Sequence, residues 1–535
     1  MKPILHTLIF ALCPFLLFGS DPYPLNPAID VQHYAFRLRL SAETNNIVGK
    51  TAIEVLLKQD VETFALDLQN ETAAGGMKIV TLQVNGQQTA FRHTDSKINI
   101  DASGKAGEML KVVIEYEGVP LDGLIIGTNL FGEKTFFGDN WPDRAHQWLP
   151  TVDHPSDKAT CEFIIEAPVY YQVVANGRLK EETVLSNDTK LTHWIESVPI
   201  STKVMVFGAA AFAIDHVGSV GNIPVSSWVY HQNKNAGFHD YAPAKEILAT
   251  LQNIIGPYPF EKLANVQSKT KFGGMENAGN IFYYEKSVSG ERKIEGLIAH
   301  EVAHQWFGNS ASEKDWHHVW LSEGFATYFT QVYMEKTYGR DSLQVGMKRM
   351  LPKIDEYHAK NPTSAIVDTS IIELKKLLSP NTYQKAGWVL HMLRKQVGDE
   401  AFFDGVRTYY DTYKLSNALT SDFQAVMEQA SGQQLGWFFD QWIFQPLLPE
   451  LSLSWKYSKK LRKLSVEVKS PGLSKSVRLP LEVGIQGADG TISAIKIIDV
   501  FGESTSAEWD IAEMPAGIIA DPNVWLLAKV KVVGK

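Results

Sequence analysis

Cysteine is nearly absent from this chain of 535 residues, which contains only Cys13 and Cys161. Cys13 lies in an N-terminal segment with the features of a leader, and its removal would leave no pair for an intrachain disulfide. The fold would then depend on core packing and on any bound metal. Cys161 stands in a strand-like run without a histidine context, and we interpret it as a small buried hydrophobic residue.

Positive charge is also scarce, since 51 lysines and arginines face 60 aspartates and glutamates, for a formal net charge of -9. Phosphate binding needs a concentrated basic face, and no such face is evident, so a nucleic-acid partner is not expected. The content of 44% hydrophobic and 21% charged residues is typical of a soluble globular protein.

The chain has no apolar run that would comfortably span a bilayer. Lys2 precedes an apolar run over residues 8–18, which has the length of a signal-peptide core. We therefore expect residues 1–20 to be a signal peptide and the protein to be exported, to a periplasm, the medium or the cell surface. The residues before the expected cleavage site are not small, so retention as an anchor stays open, and membrane association is expected only in that case.

Hydrophobic periodicity divides the rest of the chain into three regions. Alternation such as that of Tyr34, Phe36 and Leu38 indicates strands, and we predict an N-terminal β domain over residues 21–215. Helical patterns then predict a mainly helical domain over residues 216–446, and renewed alternation predicts a small β domain over residues 447–535. The fold class is multidomain α+β. The predicted helices cover residues 240–255, 294–307, 324–338, 383–397 and 421–430.

One motif in the helical region predicts a metal site. In the run from His300 through Glu301 to His304, a helix places two imidazoles one turn apart on the same face. Zinc in hydrolytic sites typically takes three protein ligands, and the best candidate for the third is Glu323, after eighteen intervening residues. A chance match is the alternative, but the apolar surroundings argue against it, since a glutamate in such a helix needs a partner.

Two further segments carry candidate site residues. The run from Phe272 to Gly279 is rich in glycine, and its backbone could approach a ligand closely while Glu276 projects into the cleft. Tyr383 stands at the start of a predicted helix. Taken alone, each of these is more typical of a loop or of a packing residue.

Together these segments resemble the gluzincin aminopeptidases related to aminopeptidase N and the leukotriene-epoxide hydrolase. The resemblance covers nearly the whole chain after the leader. It implies a saddle-like N-terminal β-sandwich, a thermolysin-like helical zinc domain and a small C-terminal β-sandwich. The implied roles are one zinc ion per chain on His300, His304 and Glu323, Glu301 as general base, Glu276 as reader of the substrate amino terminus, Tyr383 facing the reacting carbonyl, and Gly273, Gly274, Met275 and Asn277 on the substrate-lining loop.

The implied activity is that of a zinc metallo-aminopeptidase acting on peptides with a free N-terminus. A zinc-bound water would attack the first peptide bond while Glu301 takes its proton. Epoxide opening or another hydrolysis on the same zinc is an alternative, as is a noncatalytic peptide-binding module. The family commonly adds a glutamine from the N-terminal domain to the amine site; here we expect Asp139 or Asn140 to substitute. First-residue preference and oligomeric state stay open.

Overall fold

The computed structural model describes residues 24–185 and 188–533. The expected signal peptide, residues 1–20, lies outside the described residues. Fifteen strands form the N-terminal region of the described chain: β1 (Ile29–Arg39), β2 (Ile47–Leu57), β3 (Phe64–Asp67), β4 (Gly76–Val84), β5 (Gln87–Gln88), β6 (Phe91–Thr94), β7 (Lys97–Ile100), β8 (Met109–Val119), β9 (Leu124–Thr128), β10 (Lys134–Gly138), β11 (Lys158–Pro168), β12 (Gln172–Ala175), β13 (Arg178–Val184), β14 (Thr189–Ser201) and β15 (Phe207–Ala210).

An eight-stranded sheet dominates this region, with the strand order β13-β14-β11-β1-β2-β8-β4-β5. Strand β1 pairs parallel to β11 and antiparallel to β2. Tyr34, Phe36 and Leu38 all point into the core, which confirms the alternation of this strand. Cys161 on β11 is also fully buried, as its apolar neighbourhood predicted. Smaller sheets with the orders β12-β15-β10-β9 and β3-β7-β6 complete the region.

The middle region is mainly helical but contains a sheet that its sequence did not predict. Its elements are β16 (Phe212–Val220), β17 (Ile223–Tyr230), α1 (Lys234–Tyr241), α2 (Ala244–Ile255), β18 (Leu263–Ser268), β19 (Gly274–Met275), β20 (Asn280–Tyr284), α3 (Glu295–Ala303), β21 (Ala311–Glu313), α4 (Trp320–Tyr338), α5 (Arg340–Lys360), α6 (Ala386–Val397), α7 (Asp399–Tyr413), β22 (Ser416–Ala418), α8 (Thr420–Ser431) and α9 (Gly436–Trp442). The sheet has the order β16-β17-β18-β20-β19. Strand β18 is buried on both faces, so it lacks the alternation by which strands are found.

The helices differ from the predicted ones at the ends that matter for the site. Helix α3 ends at Ala303, four residues earlier than predicted, and α4 begins at Trp320, four residues earlier than predicted. The predicted helix over residues 383–397 is a π-helical turn, Asn381–Lys385, followed by α6. Helices α5 and α7 were not predicted. None of the helices within the described ranges is long and apolar enough to cross a membrane.

Seven strands form the C-terminal region: β23 (Glu450–Ser458), β24 (Lys463–Lys469), β25 (Arg478–Gln486), β26 (Ile492–Phe501), β27 (Ser504–Asp510), β28 (Gly517–Ala520) and β29 (Lys529–Val533). They make two sheets, β27-β24-β23-β29 and β26-β25-β28. The predicted class, multidomain α+β with β-sheets on either side of a mainly helical region, is thereby confirmed. The domain bounds stay predictions; residue 215 lies within β16.

Helix α6 is joined to the C-terminal region through a buried histidine. His391 Nε2 lies 3.0 Å from the carbonyl oxygen of Val524, and Nδ1 lies 3.1 Å from the hydroxyl of Tyr328. The ring of Trp525 stacks on the imidazole at a centroid distance of 4.4 Å. A neutral ring satisfies both contacts, donating from Nε2 and accepting at Nδ1. Burial lowers the pKa of His391 to about 3, so this junction requires the uncharged form.

We expect acid to weaken this junction. The unfolded chain protonates His391 near its ordinary pKa of about 6.5, whereas the folded chain resists protonation. The contribution to the free energy of unfolding is therefore complete above that pH and declines as the pH falls toward about 3. Urea midpoints measured from about pH 7.5 to about pH 4.5 should fall less steeply for His391→Gln than for the unmodified protein.

The control for this comparison is His216→Gln, which replaces an exposed histidine on β16. Its urea midpoint should follow that of the unmodified protein at each pH. Parallel curves for His391→Gln and the unmodified protein would contradict the assignment.

Candidate active site

Three metal-ligand side chains converge where α3 and α4 pack together. His300 lies on α3, His304 directly follows it, and Glu323 lies in the first turn of α4. The Nε2 atoms of His300 and His304 are 3.1 Å apart. Glu323 Oε2 lies 3.5 Å from His300 Nε2 and 3.2 Å from His304 Nε2. Tetrahedral ligands at zinc distances stand about 3.3–3.5 Å from one another. The three donor atoms are therefore close enough together to bind one cation. Glu323 Oε2 is buried and has no well-aligned hydrogen bond to any described residue.

The turn after α3 orients the ring of His304. Its Nδ1 lies 3.1 Å from the carbonyl oxygen of Phe307 and 3.1 Å from the hydroxyl of Ser322. Because a carbonyl can only accept, Nδ1 carries a proton, and Nε2 is the ring atom that faces the other ligands. Gly308 has a φ of 116°, and a Cβ there would come within 2.2 Å of the Ser322 hydroxyl. Glycine is thus required for the close approach of this turn to α4.

The three ligand groups strongly perturb one another. Burial lowers the pKa of His300. Burial also acts to lower the pKa of His304, but the carboxylates of Glu323 and Glu276 outweigh it and raise this pKa to about 10. For Glu323, burial acts to raise the pKa, and the two imidazoles lower it below its ordinary value. The group therefore favours negative charge on Glu323 and attracts a cation.

A cavity of about 230 Å³ opens over these donors. It contains the predicted residues Gly273, Gly274, Met275, Glu276, His300, Glu301, His304, Glu323 and Tyr383. Asn277 is the exception, since it is fully buried and does not line the cavity. Four apolar side chains also line the cavity, namely those of Trp141, Phe272, Leu297 and Leu378. Phe272 begins the glycine-rich run but was given no role of its own, and nothing in the local sequence of the other three marks them as part of a site.

Glu276 presents an unsatisfied carboxylate to this cavity. Its Oε1 atom is buried and has no hydrogen-bond partner among the described residues. Burial raises the pKa of this carboxyl group. The main chain of the same residue is fixed, because its carbonyl oxygen accepts from Gln305 Nε2 at 2.8 Å and from Asn309 Nδ2 at 2.6 Å. Nothing in the sequence indicated this role for either amide, yet the two side chains join the glycine-rich loop to the turn that follows α3.

Glu301 lies between the ligands and the glycine-rich loop. A Cβ on Gly274 would stand 2.3 Å from Glu301 Oε1, so glycine lets the carboxylate lie against the loop backbone. Burial raises the pKa of Glu301 well above its ordinary range, and the nearby Glu276 and Glu323 add to the effect. Glu301 also belongs with Glu276 and His304 to a second cluster of possible ligand atoms. Its position beside the ligands suits a group that takes up a proton.

Tyr383 closes the other side of the cavity from the π-helical turn. Its ring stacks on that of His300, with centroids 6.0 Å apart and planes 15° apart. Burial raises the pKa of the phenol well above its ordinary value, so it carries its proton and can donate a hydrogen bond. Single π-helical turns are frequent at functional sites.

The expectation that Asp139 or Asn140 would complete the amine site disagrees with their contacts. Asp139 accepts hydrogen bonds from Arg144 Nη2 at 2.7 Å and from the main-chain N–H of Lys271 at 3.0 Å. The side chain of Asn140 is occupied by the carbonyls of Met205 and Thr202 and by Trp148. Neither residue lines the cavity; the neighbouring Trp141 does.

Comparisons with known proteins agree with this arrangement. The Peptidase M1 N-terminal domain matches residues 30–204, and the Peptidase family M1 domain matches residues 241–442. The chain is 25% identical to glutamyl aminopeptidase of Rattus norvegicus, covering 82% of this chain and 49% of the relative. It is 27% identical to probable aminopeptidase 2 of Sulfurisphaera tokodaii, covering 81% of this chain and 57% of the relative. The chain thus spans about half the length of these relatives.

A solved structure with a similar fold is that of Legionella pneumophila aminopeptidase A in complex with aspartic acid. The TM-score is 0.80 with 17% identity, over 95% of this chain and 60% of the other. The two family matches cover the regions that supply Trp141, the glycine-rich loop and all three ligand residues. The chain belongs to peptidase family M1.

Proposed function

We propose that this chain is a zinc-dependent aminopeptidase that hydrolyses the first peptide bond of peptides with a free N-terminus. One observation carries the proposal: the three ligand donors lie within 4.8 Å of one another in a cavity that also holds Glu276, Glu301 and Tyr383. Glutamyl and leucyl aminopeptidases among its relatives support it. We also propose that the protein is exported, because the sequence of residues 1–20 has the features of a signal peptide.

The donor set fits zinc, with one ion per chain. Two imidazole nitrogens and one carboxylate are the usual ligands of catalytic zinc, and the ring of His304 is held in the tautomer that binds a metal through Nε2. When bound, the ion would polarise the substrate carbonyl and lower the pKa of a coordinated water. His300, His304 and Glu323 would hold it.

Glu301 would act as the general base. Its buried carboxylate lies beside the ligands and has a raised pKa, so it can hold a proton between two steps. It would take that proton from the attacking water on one carboxylate oxygen and pass it to the amine that leaves. The loop backbone at Gly274 lies against Glu301 Oε1 and limits the space on that side of the carboxylate.

Tyr383 would stabilise the developing negative charge on the carbonyl oxygen. The phenol keeps its proton because burial raises its pKa, and the stacked contact with His300 fixes its orientation. A donor that is already oriented costs no reorganisation when charge develops in the transition state.

Glu276 would restrict cleavage to the first bond. Its buried Oε1 lacks a partner within the described chain, and a substrate ammonium group would supply one. Gln305 and Asn309 hold the main chain of Glu276 against α3 and the turn after it, so the amine would be bound at a set position relative to the metal ligands.

The role of Glu301 is tested with Glu301→Gln. We expect kcat on aminoacyl anilides to fall by about 10²- to 10⁴-fold, because the amide cannot accept a proton. Zinc content, measured by elemental analysis, should stay at one ion per chain in the variant and in the unmodified protein. Turnover that survives in the variant, or active protein without the metal, would contradict the assignment.

The role of Tyr383 is tested with Tyr383→Phe, which keeps the ring and removes the hydroxyl. Losing such a donor costs about 2.7–4 kcal/mol, so kcat should fall by about 100- to 1000-fold with little change in KM. Tyr357→Phe on α5 serves as the matched control and should retain full activity. If kcat falls equally in both variants, the phenol has no special role.

The role of Glu276 is tested by comparing free and N-acetylated peptides. In the unmodified protein, acetylation should lower kcat/KM by about 10- to 150-fold, the cost of a lost charge-assisted hydrogen bond. In Glu276→Gln, the kcat/KM values for the free and the acetylated peptide should differ much less. Glu356→Gln, a surface change on α5, should leave the difference between the two values unchanged. Equal rates on both substrates in the unmodified protein would refute the aminopeptidase proposal.

A further inference from the structure

A second cavity, of about 950 Å³, adjoins the first. Leu297, His300 and Tyr383 line both cavities, so the two meet at the metal ligands. Helices α3, α4 and α5 form most of its wall. None of the residues from Gly273 to Glu276 lines it. The two cavities therefore lie on different sides of the point where His300 and Tyr383 face each other.

This arrangement gives the bound peptide a direction. If Glu276 holds the amino terminus in the smaller cavity, the first carbonyl lies near Tyr383, and the chain after the scissile bond continues into the larger cavity. That step rests on the proposed aminopeptidase function. The groups that line the larger cavity would then contact the part of the substrate that leaves first.

Two cationic side chains line the larger cavity. Arg349 and Lys353 are one turn apart on α5 and so share one face of the helix. Both are exposed, and among the described residues neither forms an ion pair. The acidic residue of the cavity, Asp341, lies about two turns before Arg349. The other polar lining residues on α4 are neutral: Thr327, Thr330 and Gln331.

The positive pair contrasts with its surroundings. The chain carries a formal net charge of -9, and the adjoining small cavity holds three glutamates. An arginine fork binds a carboxylate through two parallel hydrogen bonds, and a lysine one turn away adds a point charge. No metal ligand or catalytic role requires these two residues, so their chemistry is available for the substrate.

We propose that Arg349 and Lys353 bind a carboxylate that lies on the C-terminal side of the scissile bond. The favoured substrates are peptides that present such a group within a few residues of the bond. The carboxylate is either the C-terminus of a short peptide or the side chain of an aspartate or glutamate. Arg349 and Lys353 are thus determinants of specificity rather than catalytic residues.

The test compares short peptides with a free and with an amidated C-terminus on the zinc-loaded enzyme. In the unmodified protein, kcat/KM should be higher for the free carboxylate. The ratio of kcat/KM for the free peptide to kcat/KM for the amidated peptide should be roughly five-fold lower in the Arg349→Gln/Lys353→Gln double variant. This is the size of effect expected for exposed ion pairs. The loss should appear in KM, because binding of a distant group acts on ground and transition states alike.

Lys348→Gln is the matched control, since Lys348 is exposed on the same helix but does not line the cavity. It should leave both rates and their ratio unchanged. A further set of peptides, all amidated and carrying either glutamate or glutamine after the scissile bond, distinguishes a side-chain carboxylate from the C-terminal carboxylate. A preference for glutamate identifies the side chain, and a preference confined to short free peptides identifies the C-terminus; either supports the proposal.

An unchanged ratio in the double variant, with anilide hydrolysis intact in the unmodified protein, would overturn the inference while leaving the aminopeptidase function standing. Absence of anilide hydrolysis would instead count against the aminopeptidase function. In that case, calorimetric binding of the free and amidated peptides to Glu301→Gln, with and without the double change, decides the carboxylate site. Equal affinities for the two peptides would overturn it.

Discussion

Three carboxylates buried around two imidazoles form the constraint on which the rest of the site depends. Glu276, Glu301 and Glu323 are each more than nine-tenths buried, and such groups are costly unless they are paired with a cation. Histidines alone offer at most partial compensation. A divalent cation at the ligands and a substrate ammonium at Glu276 would neutralise this charge, so the cost of burying the carboxylates would favour the binding of both.

The N-terminal region helps to hold these groups in place. Lys158, whose pKa burial lowers to about 7, donates to the carbonyl oxygens of Asn309 and Ser310 at 3.1 and 2.6 Å. Lys203 forms a buried ion pair with Glu313 on β21. Both contacts fix the segment after α3, and Asn309 in turn binds the carbonyl of Glu276. The large β-sheet is therefore part of the support of the site rather than an independent module.

What the sequence predicted well was local, and what it missed depended on contacts between distant segments. The spacing of His300, His304 and Glu323 predicted a site because helix geometry alone brings the first two together. The five-stranded sheet was missed because its buried strand β18 shows no alternation. Trp141 and Arg349 were missed for another reason: each reaches a cavity only through packing of elements far apart in the chain. Asn277 shows the reverse case, since it belongs to the motif but is buried and does not line the cavity.

The unequal size of the two cavities supports the proposed exopeptidase function. The space beside Glu276 is about 230 Å³ and is lined by Trp141 and Phe272, while the space beyond Tyr383 is about 950 Å³. Trp141 packs edge-on against both Phe272 and Trp316, which makes this end rigid. A peptide could extend freely only in the larger direction. The proposed contact of Glu276 with the substrate amine and the aromatic side chains at this end of the cavity would both act to restrict cleavage to the first bond.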